Sequence, residues 1–152
     1  MSKSKMPIDE KECFAKINAL SQQDWQILLD LIPEIENTSQ FGAWKGGRQV
    51  GNSFTAPWCE LSPIVEKFLE AVYGIPIIVA FDWMKWAEGQ DILSKADYDF
   101  DSLDLVTKCK LITAIVRSDR FSEGALVSAF NSGVVLRILK SIEREVTAKN
   151  GK

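Results

Sequence analysis

Residues 102–147 have the sequence SLDLVTKCKLITAIVRSDRFSEGALVSAFNSGVVLRILKSIEREVT, in which apolar side chains recur every three or four positions. This spacing places them on one face of an α-helix. Polar or glycine-containing breaks interrupt the pattern near residues 118–121 and 132–134. The pattern therefore predicts three consecutive helices, with no β-strand among them.

Short polar side chains precede two of these helices and can accept hydrogen bonds from the free N–H groups of a first turn. Asp101 or Ser102 is predicted to cap the first helix, and Ser122 the second. Phe121 and Leu126 would then pack together as a hydrophobic staple around the second cap.

The helical period extends through most of the remaining chain. Ser21 with Asp24 resembles a capping box, and Ser62-Pro63 is a typical helix start. We expect a mainly α protein, a compact non-parallel bundle of roughly six helices. The sequence allows at most a short strand near residues 75–81 or a small hairpin within residues 40–58.

The chain has 152 residues, which predicts a single domain with frayed tails at about residues 1–7 and 148–152. Its net charge of −3 makes a general affinity for nucleic acid or anionic membrane unlikely. It contains no histidine, which excludes Ser-His-Asp and Cys-His catalysis and His-based zinc sites.

The cysteines and the apolar runs bear on location. Cys13, Cys59 and Cys109 are widely spaced, which is typical of reduced thiols in a cytoplasmic protein. The N-terminal residues resemble no signal peptide, and the longest apolar run, Ile75–Phe81, is too short to cross a bilayer. We expect a cytoplasmic protein that has no membrane partner.

Two familiar motifs are approximated but incomplete. Residues 46–53 have the glycine spacing of a P-loop, but Asn52 replaces its lysine. Residues 97–108 begin like a calcium loop, but Ser102 replaces the glycine and Lys108 the bidentate glutamate. We therefore expect no metal and no cofactor.

The first candidate site lies between two predicted helices. Arg117 and Arg120 stand beside a helix start that includes Glu123 and Gly124. Arginine pairs and the free N–H groups of a helix start both bind anions. The structural alternative is that the arginines pair with Asp119 or Glu123, and that Gly124 allows close packing.

The second candidate site is aromatic. Five tryptophans are many for this length, and Asp82 lies beside Trp83 and close to Trp86. Tryptophans in loops line a pocket or pin the loop onto the core. A pocket that also included Asp82 and one of the arginines would favour ligand binding.

Several segments of the second half of the chain form a recognisable set. They are Phe81-Asp82-Trp83 with Trp86, Leu111–Arg117, Asp119–Gly124, Ala129–Gly133 and Ile138-Leu139. With them, about residues 60–142 resemble a family of small bacterial domains of unknown function. The resemblance implies one domain type of bacterial or phage origin, and it implies no activity.

These observations favour a cytoplasmic domain that binds a partner protein or a small anionic ligand, without catalysis. The alternative is an enzyme or processing factor for a phosphorylated or carboxylated substrate. In that case Arg117 and Arg120 would hold the anion, and Asp82, Asp119 or Glu123 would transfer protons. Nucleic-acid binding is the least favoured interpretation because of the net charge.

Overall fold

A computed structural model describes residues 8–150 apart from residues 76, 80, 96 and 97. Within them the protein is mainly α, as predicted, with eight α-helices, two short 3-10 helices and four short strands. The helices are α1 (Ile8–Ala19), α2 (Gln22–Leu29), α3 (Ile32–Glu36), α4 (Pro63–Gly74), α5 (Ala87–Leu93), α6 (Leu105–Ser118), α7 (Ala125–Asn131) and α8 (Val134–Asn150). The number of α-helices exceeds the predicted six because α3 and α5, with five and seven residues, are too short to show an apolar period in the sequence.

The three helices predicted within residues 102–147 are confirmed as α6, α7 and α8. Helices α6 and α8 lie against each other and contact most other elements, so their apolar faces form the centre of the core. Helix α8 continues through residues 148–150, which the sequence assigned to the C-terminal tail. Residues 1–7 and 151–152 lie outside the described residues.

The cap of α6 was assigned wrongly. Asp104 occupies that position, and its carboxylate accepts a hydrogen bond from Thr107 N at 2.8 Å. Asp101 instead accepts hydrogen bonds from Arg144 and Ser141 of α8, which lower the pKa of its carboxyl group. By contrast, the predicted capping box of α2 is present.

Four strands form an arm of two antiparallel pairs, which we call the β arm (residues 42–61). Strand β1 (Gly42–Lys45) pairs with β4 (Trp58–Leu61), with Gly42 opposite Leu61. Strand β2 (Arg48–Val50) pairs with β3 (Ser53–Thr55) at the tip. The predicted hairpin therefore exists and is slightly longer than expected. Its glycines turn the chain, and Gly51 has a φ of 61°.

The apolar segment near residues 75–81 is not a strand at its described positions. Ile77 and Val79 are fully buried. The N–H group of Val79 donates to Thr113 Oγ1 at 2.9 Å, so a side chain of α6 replaces the partner strand. The described residues of this segment therefore form an irregular connector that packs on α6.

One charged group lies inside the apolar core. Lys108 of α6 is 1% exposed, and its Nζ lies 2.8 Å from Glu145 Oε1 of α8. It also donates to the carbonyl of Ser141 at 3.4 Å. The apolar period of α6 and α8 does not predict this pair, because it joins two residues that are 37 positions apart.

Candidate functional site

Trp83 and Trp86 line an apolar cleft of about 350 Å³. The cleft lies between α5, α6, α7 and the 3-10 turn Trp83–Lys85 that precedes α5. Its volume is at the lower end of the range for ligand pockets. Its walls are Trp83, Trp86, Leu93, Ala114, Ile115, Ala125 and Ala129, with Gln90, Ser94 and Ser118 as polar members.

The indole of Trp86 is held on two sides. A Cβ atom added to Gly89 would lie 2.2 Å from Trp86 Cε3, so the ring rests directly on the glycine backbone. Phe81 contacts the indole edge to face, with ring centroids 5.4 Å apart. Lys110 Nζ lies 4.9 Å from the Trp86 ring centroid, within cation–π range. Trp86 is therefore a fixed wall of the cleft.

The polar side chains of the cleft already donate hydrogen bonds to the backbone. The hydroxyls of Ser118 and Ser94 donate to carbonyls three residues earlier, at 2.8 and 2.7 Å. Gln90 Nε2 donates to the carbonyl of Met84 at 2.9 Å. The cleft is therefore suited to an apolar group rather than to a polar one.

The cleft continues into exposed apolar surface. Phe121 is 70% exposed and Met84 is 54% exposed. The rings of Trp83 and Phe121 are in contact, with centroids 6.0 Å apart. Exposed apolar side chains beside an apolar cleft are typical of an interaction site.

The charged cluster between α6 and α7 has a different role. Asp119 Oδ1 accepts hydrogen bonds from Gly124 N and Leu126 N, at 3.0 and 3.1 Å. Asp119 thus satisfies free N–H groups of the first turn of α7. Gly124, with a φ of 97°, occupies the cap position, so the predicted cap at Ser122 is wrong. The staple is also wrong, because Phe121 points to solvent.

Glu123 and Gly124 attach the β arm to this junction. Glu123 Oε2 accepts a hydrogen bond from Cys59 N of β4 at 2.7 Å. A Cβ atom added to Gly124 would lie 3.0 Å from Trp44 Cζ2, so the glycine allows the indole to approach closely. Burial, with smaller contributions from the Asp119 and Glu123 carboxylates, raises the pKa of the Cys59 thiol.

The remaining predicted residues do not line the cleft. Asp82 is exposed, with its carboxylate 4.0 Å from Lys85 Nζ. Arg120 is exposed and Arg117 is half-buried. Within the described residues neither arginine side chain has a hydrogen-bond or ion-pair partner, although Arg117 Nε is buried. Of the predicted residues, Trp83 and Trp86 therefore lie together in the cleft. Glu123 and Gly124 lie together where the β arm contacts the α6–α7 junction.

Two further properties concern metals and membranes. In the part of the chain that the structure describes, no three metal-ligating side chains come together. No single described helix has the length and apolar character needed to cross a bilayer. Helices α7 and α8 meet that test only as a pair, and a 67° bend separates them.

Residues 20–148 match a family described as being of unknown function, DUF6508. The chain belongs to DUF6508. The match covers the cleft, the β arm and the α6–α7 junction, so all three are parts of the DUF6508 region. No match was found to a curated protein or to a solved structure. Membership in DUF6508 therefore identifies no activity.

The small residues of the cleft were not recognised from the sequence. Ala125 and Ala129 are four residues apart on α7 and form the wall that faces the indoles. Ala129 is half-buried. The available signal was a pair of alanines on one helix face, with unassigned tryptophans elsewhere in the chain.

Proposed function

We propose that this chain is a binding domain without catalytic activity, and that its cleft receives an apolar side chain of a partner protein. The observation that carries the proposal is the contact of Trp83, a wall of the cleft, with the exposed ring of Phe121. The cytoplasmic location and bacterial origin expected from the sequence belong to the same proposal. The location is supported by the three free thiols, and the origin only by the resemblance of the sequence segments named above.

A protein partner suits this surface better than a small ligand does. The exposed ring of Phe121, which contacts Trp83, would remain in water around a small ligand, whereas a partner surface would cover it. Tryptophans in well-packed pockets contribute much of the binding energy at protein interfaces. Trp83 and Trp86 have that position here.

Catalysis is disfavoured by the hydrogen bonds of the acidic candidates. The carboxylate of Asp119 accepts from the backbone of α7, and that of Glu123 accepts from the backbone of β4. Both carboxylates therefore already have a part in holding the local fold. Asp82, the third candidate, is exposed and lies outside the cleft lining.

The test is a selection of displayed random peptides about a dozen residues long. Peptides are selected on the wild type and then assayed on Ala125→Leu and, independently, Ala129→Leu, which fill the cleft without removing a tryptophan. We expect most selected peptides to lose at least about tenfold in affinity for both variants, which corresponds to about 1.4 kcal/mol.

Ile27→Ser provides the matched control, since Ile27 is a 56%-exposed apolar residue of α2, which does not line the cleft. Peptides that depend on the cleft should bind this variant like the wild type. If the selected peptides bind the filled variants as tightly as the wild type, the cleft is not the binding site and the proposal fails.

Anion binding at Arg117 is a second candidate, because its buried Nε has no hydrogen-bond partner among the described residues. A phosphorylated or carboxylated substrate could supply one. Sulfate should then raise the melting temperature of the wild type beyond its effect on Arg117→Gln/Arg120→Gln. Equal stabilisation of both proteins, with helix content retained, would exclude the anion site.

A further inference from the structure

We infer that the partner segment recognised by the cleft is acidic, with Asp or Glu residues next to the apolar side chain that enters it. The inference rests on the proposed function and adds the chemistry of the partner. Its basis is the distribution of paired and unpaired charges around the cleft.

Two basic residues close to the cleft in sequence, Arg117 and Arg120, have no hydrogen-bond or ion-pair partner among the described residues. Arg117 is adjacent in sequence to Ser118 and one helical turn after Ala114, and both of these residues line the cleft. Arg120 immediately precedes Phe121 at the mouth. Within the described residues neither guanidinium forms an ion pair. Arg120 is exposed and Arg117 is half-buried, and neither guanidinium is already paired with a carboxylate of the described residues.

The nearby acidic side chains are mostly engaged or directed elsewhere. Asp119 and Glu123 accept hydrogen bonds from the backbone. Asp91 pairs with Lys95 at 3.1 Å, and Asp82 is balanced by Lys85.

Glu88 precedes the cleft residue Gln90 by two positions on α5, so it lies on the far side of that helix. Asp119 and Glu123 keep their negative charges, since a backbone N–H group does not neutralise a carboxylate. Among the described residues beside the cleft, the charged groups without a hydrogen-bond or ion-pair partner are therefore the guanidinium groups of Arg117 and Arg120.

This local charge contrasts with that of the whole chain. The net charge is −3, so a long-range field does not attract an acidic peptide. Any preference for acidic sequences must come from contacts close to the cleft. Arginine suits such contacts, since its guanidinium can bind a carboxylate through two hydrogen bonds.

The probes are the cleft-dependent peptides obtained in the selection above. Each is synthesised unchanged and with every Asp and Glu replaced by Asn and Gln, and its affinity is measured by fluorescence anisotropy. We expect Asp and Glu to outnumber Lys and Arg among these peptides. The neutral versions should bind the wild type roughly tenfold more weakly. The affinity advantage of the acidic versions should decrease as salt is added.

Two variants assign the effect to the arginines. Arg120→Gln should reduce the ratio of the affinities of the acidic and neutral peptides by roughly threefold. Arg117→Gln/Arg120→Gln should make the two affinities equal. Arg120 is exposed, so its single variant remains informative even if the double variant does not fold. Lys67→Gln is the control, because Lys67 pairs with Glu34 on helices that do not line the cleft.

The outcomes separate this inference from the proposed function. Cleft-dependent peptides without an excess of acidic residues would overturn the inference and leave the proposed function intact. The inference would also be overturned if the neutral versions bound as tightly as the original peptides. The same holds if Arg120→Gln left the preference for acidic peptides unchanged. If no peptide depends on the cleft, the proposed function fails and the inference fails with it.

Discussion

The α6–α7 junction and the aromatic segment around Trp83 both contain residues that suggest a binding site, but they use them in opposite ways. At the junction the carboxylates of Asp119 and Glu123 accept hydrogen bonds from backbone N–H groups. In the aromatic segment Trp83 and Trp86 leave apolar surface open beside small residues. The junction maintains the fold, whereas the aromatic segment offers a surface.

The physical reason is the difference in cost between leaving a backbone amide unpaired and leaving a ring partly exposed. A buried N–H group without an acceptor costs about 1–3 kcal/mol, so nearby carboxylates are used to satisfy it. A partly exposed indole loses some burial energy but leaves no polar group unsatisfied. Charged clusters at helix junctions are therefore weaker indicators of binding than surplus aromatic residues.

Gly124→Ala should have the largest effect on the free energy of unfolding. Gly124 has a φ of 97°, and a Cβ atom there would lie 3.0 Å from Trp44. We expect destabilisation by about 2–3 kcal/mol, measured by urea denaturation, from backbone strain and displacement of the indole together. Gly133→Ala is the matched control, since Gly133 has a φ of 88° and no atom within 4 Å of the added Cβ. Equal losses would mean that the Trp44 contact contributes nothing.

Asp119→Ala should come next. It removes the acceptor of Gly124 N and Leu126 N, and we expect a loss of about 1–2 kcal/mol, as for other helix caps. Thermal unfolding followed by circular dichroism measures it. Asp82→Ala, which removes an exposed carboxylate, should change stability by less than about 0.5 kcal/mol. If the two variants are equally stable, the junction is not the structural region described here.

Glu123→Gln should have a smaller effect on stability, of about 0.5–1 kcal/mol, because the amide oxygen can still accept from Cys59 N. It should also alter the Cys59 thiol, whose pKa is raised by burial and, to a lesser degree, by Asp119 and Glu123.

Removing one negative charge lowers that pKa and increases the thiolate fraction at a given alkaline pH. Alkylation of Cys59 should therefore accelerate by roughly twofold, as followed by mass spectrometry. In denaturant the two proteins should react equally. A slower reaction of the folded variant would contradict the assigned cause of the shift.

Phe121→Ser and Met84→Ser should have the smallest effects on stability, within about 0.5 kcal/mol, because both side chains are more than half exposed. They should nevertheless weaken the cleft-dependent peptides by roughly tenfold or more, as expected at an interface. Anisotropy titrations beside urea denaturation measure both quantities. A large loss of stability without a loss of binding would reverse the comparison between the two regions.

Much of the fold was predictable because its signals are local. The apolar period of residues 102–147 and the capping box at Ser21 depend on neighbours within one or two helical turns. The β arm was predictable only as a possibility, since its pairing joins residues far apart in sequence. The caps at Asp104 and Gly124 were missed because several adjacent residues could serve chemically, and packing decides among them.

The candidate site was predictable only in part. Trp83 and Trp86 were singled out because five tryptophans exceed what the helical stripes accommodate. The alanines opposite them were missed, because a small residue indicates a cleft only when its spatial neighbours are known. Arg117 and Arg120 were predicted as an anion site because two arginines lie close together. The sequence does not show that the nearby carboxylates accept hydrogen bonds from the backbone and leave the arginines unpaired.

The buried pair of Lys108 and Glu145 has a consequence for how α6 and α8 align. Two apolar stripes can slide past each other by one helical turn, about 5.4 Å, and still bury similar surface. Such a shift would separate Nζ and Oε1, which now lie 2.8 Å apart, and leave the ammonium group buried without its counter-ion. The Glu145 side chain is 30% exposed, so the cost of the shift falls on the buried ammonium group of Lys108. Lys108 therefore favours one register of α6 against α8 over others that apolar packing alone would allow.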